Sequence, residues 1–382
     1  MRIRKVGLAA VTAALLTMAA VSPAAAEAKA KTYGYLDPAS GQTFVPIRFF
    51  SEQSGASVAW DGTAKQVTIV RDDVQVKLGV SRKTAEVNGE KRELSASPFT
   101  DEGVAYVPLR FVAEALGMNA KWNSSLASVE LRRENGVAKL PIIERGSKAA
   151  VREPFERQTR SFRVGSRTIE AELLYVSLLA PRVDLSVALA GGEVGKTEEL
   201  KAIANRVGGT AAVNGTFFDA YTDSALKNPY GYVASGGDIV WKASGDKRTV
   251  FLFDANDNVE FVNGADFPER FGRGDVEGAL QAGPRLVRDG KVELNVEDEG
   301  FKDPKILTGG GARTAIGVTR DHRLVLATVP GATIPQLAEI MRQAGALQAM
   351  NLDGGASSGL YYDGKYVTKP GRPIGNALVV SE

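Results

Sequence analysis

Gly345-Ala-Leu-Gln-Ala-Met-Asn-Leu-Asp-Gly-Gly-Ala-Ser-Ser358 is one of two places in the chain where a helix stops at glycine and a short strand runs to an asparagine. Upstream of it, Thr333 is placed to cap a helix with Pro335 near its start and Leu337, Ile340, Met341 and Ala344 at apolar positions. Gly208-Gly-Thr-Ala-Ala-Val-Asn214 repeats the arrangement at an offset of 137, which Leu200/Leu337 and Ile203/Ile340 also keep. There Thr197 is the expected cap of a helix reaching Val207. Beyond each asparagine the chain breaks into a polar loop, Gly215-Thr-Phe-Phe-Asp219 or Leu352 to Ser358. Two related helix–strand units are therefore expected to bring two polar loops to the same edge of one sheet. Gly236-Gly237, Asp289-Gly290, Arg320-Asp321-His322 and Asp363-Gly364 mark hairpins around them. Residues 151–382 thus read as one mixed-sheet α+β domain, without the regular strand–helix alternation of a parallel fold.

The part before it is organised differently. Residues 44–71 and 106–133 align without gaps at an offset of 62, with nine identities in 28 positions. Val45, Pro46, Arg48, Phe49, Glu52, Gly55, Trp60, Val67 and Arg71 recur as Val107, Pro108, Arg110, Phe111, Glu114, Gly117, Trp122, Val129 and Arg133. Such internal repetition reveals architecture directly. Each copy reads as strand, helix, strand, strand. The prolines suit the first helical position, where the missing N–H costs nothing, and the glycines suit a left-handed helix stop. Trp60 and Trp122, at matching positions, are expected to anchor the two cores, with sugar stacking as the other use of such rings. Residues 134–150, mixed in charge and holding Gly136, Pro141 and Gly146, are expected to be a linker, although Val137–Ile143 could add a strand to either neighbour.

Residues 1–26 read as a signal peptide: Arg2, Arg4 and Lys5, then an apolar run from Leu8 to Val21, then Ala24-Ala25-Ala26. The run is shorter than the ~20 residues that span a bilayer. The chain is therefore expected to be secreted or extracellular after cleavage, with cell-wall association as a further expectation, and without a membrane span. The 382 residues carry 47 Lys and Arg against 45 Asp and Glu, which leaves no basic footprint for nucleic acid. No cysteine is present, so disulfides, thiolate metal sites and cysteine nucleophiles are excluded. The one histidine, His322, excludes any multi-histidine metal site, and its charged turn marks it as a solvated surface residue. Carboxylates, one or two arginines and the backbone must then carry any chemistry.

The doubled Val-Pro-[Ile/Leu]-Arg-Phe-x-x-Glu-x-x-Gly pattern followed by Trp resembles the stalk domain named after the N-terminus of copper amine oxidases, over about residues 33–133. The name implies no copper here, since a copper amine oxidase site needs three histidines. Residues 155–382 resemble the phosphodiester glycosidase family through four ordered segments: Asn214 to Asp219, Gln281 to Val287, Arg313 to Gly317, and Asn351 to Ser358. The resemblance implies a hydrolase that splits a sugar from phosphate. The expected partner is a sugar-phosphate glycan or cell-wall polymer, such as a cell-envelope or exopolysaccharide phosphodiester. The alternative is a non-catalytic wall- or glycan-binding protein.

The residues fit that chemistry. A sugar joined to phosphate has a good leaving group, so one carboxylate plus a cation and backbone donors can suffice. Asp353, where a strand meets a glycine loop, is the first candidate for the carboxylate, and Asp219 the second. Arg313 is expected to grip phosphate bidentately, with Arg285 as a further phosphate contact. Gly215, Gly354, Gly355, Ser357 and Ser358 are expected to offer backbone N–H or hydroxyl donors, and Asn214, Gln281 and Asn351 to meet sugar hydroxyls. No cofactor is required. Asp219, Asp353 and the nearby asparagines could ligate Ca²⁺ or Mg²⁺, but no EF-hand spacing appears, and the metal question stays open.

Overall fold

The computed structural model describes residues 31–133, 136–147 and 153–382; the expected signal peptide, 1–26, lies outside them, as do 134–135 and 148–152 of the expected linker region and its border. The first unit begins with β1 (Gly34–Asp37), β2 (Gln42–Pro46), α1 (Ile47–Ser54), β3 (Ser57–Asp61), β4 (Gln66–Arg71), β5 (Val74–Gly79), β6 (Thr84–Val87) and β7 (Glu90–Glu93). It continues through β8 (Phe99–Asp101), β9 (Val104–Pro108), α2 (Leu109–Ala115), β10 (Ala120–Asn123), β11 (Ser128–Arg133) and β12 (Gly136–Glu144). The order β2-α1-β3-β4 recurs as β9-α2-β10-β11. Pro46 and Pro108 are extended caps one residue before each helix, not its first residue.

Strands β3 to β7 form one sheet, and β10-β11-β12-β1-β2-β9-β8 the other. Phe49, Phe50, Val67, Val107, Val112 and Leu131 fill the space between them. Trp60 and Trp122 do not: they lie on the edge strands β3 and β10 and are 44% and 47% exposed. Phenylalanine and aliphatic side chains make the core that the tryptophans were expected to anchor. The expected linker contains a strand as well. In β12, Ala138, Leu140 and Ile142 alternate into the core, and the strand pairs antiparallel with β11 and parallel with β1. Its Gly and Pro content masked a period of two.

The second unit opens with β13 (Phe155–Val164), β14 (Arg167–Ser177), β15 (Asp184–Leu189), α3 (Leu200–Arg206), β16 (Ala211–Asn214), β17 (Val233–Ser235) and β18 (Asp238–Trp241). Next come β19 (Thr249–Asp254), β20 (Val259–Asn263), α4 (Phe267–Phe271), β21 (Val276–Gln281), β22 (Arg285–Arg288), β23 (Lys291–Val292) and α5 (Pro304–Leu307). It closes with β24 (Gly311–Thr319), β25 (Arg323–Ala332), α6 (Ile334–Gln343), β26 (Ala346–Asn351), β27 (Leu360–Tyr362), β28 (Lys365–Thr368) and β29 (Asn376–Ser381). The architecture is α+β with strands predominating.

Three sheets have the orders β13-β14-β25-β24-β26-β22-β23, β15-β29-β16-β27-β28 and β18-β17-β21-β19-β20. One core joins them, with Leu174, Leu326 and Met350 from the first, Val213 and Leu378 from the second, and Phe251 and Leu280 from the third. Helix α6, closed by a Thr333–Gln336 capping box, covers the outer face of the first sheet through Ile340 and Met341. Helix α3 covers the second through Leu200 and Ile203. Its cap is Glu199, without a side-chain bond, rather than Thr197.

The two helix–strand units α3-β16 and α6-β26 therefore belong to different sheets, not to one edge of the same sheet. They nevertheless converge, because Asn214 ends β16 and Asn351 ends β26 on facing strands. The first unit docks at the turn end of the β24–β25 hairpin, roughly 15–20 Å from Ala315, where Asn351 pairs, at the usual strand rise. There His322, only 8% exposed, sets its Nε2 3.1 Å from Ala127 O and 3.3 Å from Ile142 O. Burial pushes its pKa down. The residue expected on a solvated turn is thus a buried bolt between units. Around it, Lys31 pairs with Asp257, and Lys139 pairs with Glu260 beside Arg270.

Candidate active site

The site is assembled on the loop 352–359. Leu352 N donates to Thr314 O, and Asp353 N donates to Gly215 O, so the loop is pinned to β24 on one side and to the end of β16 on the other. Asn214 reinforces this. Its Nδ2 donates to Asp353 O at 2.8 Å, while Oδ1 accepts from Thr314 Oγ1 at 2.8 Å and Gly359 N at 3.0 Å. Both side-chain polar atoms are bonded inside the protein and the residue is buried, so Asn214 positions Asp353 rather than meeting a sugar. Gly215 is required for close approach: a Cβ there would lie 2.0 Å from Asn376 Oδ1.

Asp353 is buried at 8% exposure. Its Oδ1 accepts from Gly354 N at 2.9 Å, and its Oδ2 has no hydrogen-bond partner. Burial pushes its pKa up to about 6, against the lowering pull of Ser357, Arg372 and the Gly354 N–H. Other buried carboxylates are raised as well, but their oxygens are occupied. Glu299 takes Arg285 N and Thr249 N, both at 2.7 Å, and Asp257 takes Lys31 and Leu185 N. Among the described residues Asp353 Oδ2 is the one buried carboxylate oxygen left without a hydrogen bond. Two more orphaned atoms lie in the same segment, Asn351 Oδ1 and Ser358 Oγ. Burying polar atoms without partners is costly, and its concentration in one loop marks a place where a ligand completes the bonding.

Arg372 was not singled out in the sequence, yet it is the cation closest to this carboxylate. Its Nη2 lies 3.7 Å from Asp353 Oδ2, and its Nε donates to Ser357 Oγ at 2.8 Å. Its guanidinium lies against two rings, 5.1 Å from the centroid of Phe218 and 5.2 Å from that of Tyr221. Tyr221 is 84% exposed. The only signal in the sequence was a lone arginine inside Pro370-Gly-Arg-Pro373, just before the strand carrying Asn376. Asn376 was missed too; it clamps Thr216, accepting from its N at 2.9 Å and donating to its Oγ1 at 2.8 Å.

Of the other expected residues, Gly354 and Gly355 shape the loop. A Cβ on Gly354 would press to 2.9 Å from Ala312 O, and Gly355 has φ +59°. Ser357 holds Arg372, and Asn351 Nδ2 is held by Gly283 O at 2.8 Å. Asp219 follows Phe218 on the loop after β16, with its side chain against the Tyr230 hydroxyl.

Three expectations need correction. Arg313 spends Nε on Ala332 O and Nη2 on Lys305 O and Gly309 O, so it braces the 305–309 turn and borders the site only through Nη1 near Gly354. Arg285 uses every nitrogen on Val287 O, Phe261 O and Gln348 Oε1. Its pKa is pushed down to about 10 by burial. Gln281, fully buried, is satisfied by Tyr232 N, Asp246 O and Arg248 O. Neither Arg285 nor Gln281 faces Asp353. Among the described residues no three His, Asp or Glu side chains gather as a metal site.

The fold and this loop define a carboxylate site with one aromatic-flanked arginine at the meeting point of two sheets. Residues 208–381 match the phosphodiester glycosidase family, and residues 25–131 the copper amine oxidase N-terminal domain. The chain thus carries a phosphodiester glycosidase domain behind a copper amine oxidase N-terminal domain. The catalytic domain of zebrafish N-acetylglucosamine-1-phosphodiester α-N-acetylglucosaminidase, in a form auto-inhibited by its pro-peptide, is similar in fold. It is 20% identical, covering 60% of this chain and 84% of that one, with a TM-score of 0.51. A hypothetical protein from Synechocystis shares the fold over 89% of this chain and 94% of its own, at 14% identity and a TM-score of 0.52. A primary amine oxidase of Klebsiella aerogenes is 35% identical over 68 residues, 18% of this chain and 9% of that enzyme.

Proposed function

We propose that the protein is a secreted hydrolase that cleaves the glycosidic bond between a sugar and phosphate in a cell-envelope or exopolysaccharide phosphodiester. The observation that carries this reading is the buried Oδ2 of Asp353, without a hydrogen bond, beside Arg372 in the loop of orphaned polar atoms. Arg372 takes the phosphate role first given to Arg313. Its planar fork, held between Phe218 and Tyr221, suits two phosphate oxygens.

In this mechanism Asp353, ionised above its pKa of about 6, supplies electrons to the anomeric carbon, either directly or by taking a proton from water. The bond from the anomeric carbon to the phosphate oxygen breaks, and its electron pair leaves with the phosphate. Arg372 offsets the charge of the departing monoester, so no strong acid is needed on that side. Water supplies the oxygen of the freed sugar. Asn214, Thr314 and Gly215 act by fixing the Asp353 backbone, and Asp219 by fixing the loop that bears Phe218 and Tyr221.

The test is incubation of the purified protein with sugar-1-phosphodiesters, following free sugar and phosphomonoester together. Equal release of both, abolished in Asp353→Asn, supports the reading. Tight binding without release would make the protein a glycan binder instead.

A further inference from the structure

The inner face of the first sheet changes character along its length. On β14 the side chains facing the second sheet run Val176, Leu174, then Glu172 and Glu170. On β25, antiparallel to it, they run Leu324, Leu326, then Thr328, with Glu172 directly opposite Thr328. Strict alternation would continue the apolar core to the end of both strands. Instead the space between the sheets opens into a groove of about 360 Å³. Thr368 of β28 reaches across from the second sheet, its Oγ1 2.6 Å from that of Thr328. Ser358, with its unpaired Oγ, and Lys369 complete the wall nearest the loop. Apart from Ser358, which the groove shares with the loop of orphaned atoms, none of these groups is used by the mechanism above, and the groove's size lies in the range of small-molecule sites.

We propose that this groove is a second carbohydrate subsite, which holds a neutral glycosyl unit one residue beyond the sugar that is released. The inference rests on the proposed glycosidase reading and extends it to the substrate class: an oligosaccharide 1-phosphodiester rather than a single sugar. Closely spaced hydroxyls, a carboxylate and an ammonium offer the mixed donors and acceptors that sugar hydroxyls match. Glu172 is already bonded to Arg157 and Thr159, and the remaining glutamate, Glu170, argues against a second phosphate in the groove, since like charge repels it. The feature also explains why polar residues interrupt two otherwise apolar inward rows.

The experiment compares matched mono- and disaccharide 1-(methyl phosphates) of glucose, galactose and N-acetylglucosamine. The wild-type protein is expected to cleave the disaccharide form at least about tenfold more efficiently in kcat/KM for one sugar of the set. Thr368→Tyr, which fills the groove, should remove that preference and leave the monosaccharide rate unchanged. Thr368→Val, isosteric and without the hydroxyl, should reduce it partly and guards against misfolding of the larger variant. Equal rates for both forms in the wild-type protein, or a parallel fall in both for the variants, would overturn the subsite. If nothing is cleaved, saturation-transfer NMR with the free disaccharides reads the groove alone. Binding lost in Thr368→Tyr then retains the subsite while the hydrolase reading fails, and absence of binding overturns the subsite as well.

Discussion

Replacing Asp353 by asparagine is expected to abolish turnover and to stabilise the fold at the same time. In the folded protein the carboxyl titrates at about 6, against 3.8 for an unperturbed aspartate. At about 1.4 kcal/mol per pKa unit, this amounts to about 3 kcal/mol of preference for the uncharged form. The Arg372 attraction is already contained in that value, since it pulls the pKa down against burial. A net gain of up to about 3 kcal/mol is therefore expected at pH 8. The sign follows from the proton balance. The native state holds this proton more tightly than the unfolded chain does, so wild-type stability falls as pH rises from 3.8 through about 6 and stays low above it. The asparagine variant lacks that dependence. Urea denaturation of both proteins at pH 4.5 and pH 8 should thus show a gap that is wide at pH 8 and closes at low pH. In the wild-type protein, kcat should rise with pH through about 6, whereas the variant should lose at least ~10²-fold in kcat. A variant that is less stable by the same amount at both pH values, with activity following the folded fraction, would refute the reasoning and make Asp353 a loop-forming residue.

Arg372→Lys keeps the charge but loses the fork and the ring contacts, so KM for the phosphodiester should rise about tenfold, with a smaller change in kcat; an unchanged KM would remove Arg372 from phosphate binding. Gly215→Ala would place a Cβ 2.0 Å from Asn376 Oδ1, so a loss of at least about 2 kcal/mol is expected in thermal unfolding. His322→Leu leaves Ala127 O and Ile142 O without their imidazole donor and should cost about 1–3 kcal/mol. Because burial lowers the His322 pKa, the joint should also weaken as pH falls below 6.5 in the wild-type protein and not in the variant, read by limited proteolysis between the units.

Much of this arrangement was legible in the sequence because it rests on local rules. The Asp-Gly pairs at 289–290 and 363–364 make hairpins with both residues at positive φ, as such pairs do between strands. Thr333 with Pro335 gave a helix start, and the structure closes it with a Thr333–Gln336 capping box. Asp353 was singled out because it sits where a strand meets a glycine loop, and the structure places it there, just past the end of β26. The failures at the site are matters of partnership that residue type and spacing do not reveal. Gln281, Arg285 and Arg313 have the right chemistry for substrate, but backbone carbonyls and a glutamine 63 positions from Arg285 take their donors. His322 sits in a charged turn that looks solvated until a second unit covers it. Arg372 carried no periodic or spacing signal, and its role emerges only where the loop after β16 brings Phe218 and Tyr221 against it.

The placement of β29 has a consequence for when the site comes into being. Residues 376–381 pair with Asp184–Leu189 on one side and Ala211–Asn214 on the other, so the middle of that sheet is filled by a segment synthesised after both its neighbours. Until it arrives, β15 and β16 face each other across a missing strand, Thr216 lacks its Asn376 clamp, and the loop bearing Phe218 has no Arg372 to close on. Contacts of such long sequence separation form late and slowly. A nascent chain would therefore carry the Asp219 loop without Arg372 and Asn376 against it. On the proposed reading, catalytic competence waits on completion of the sheet.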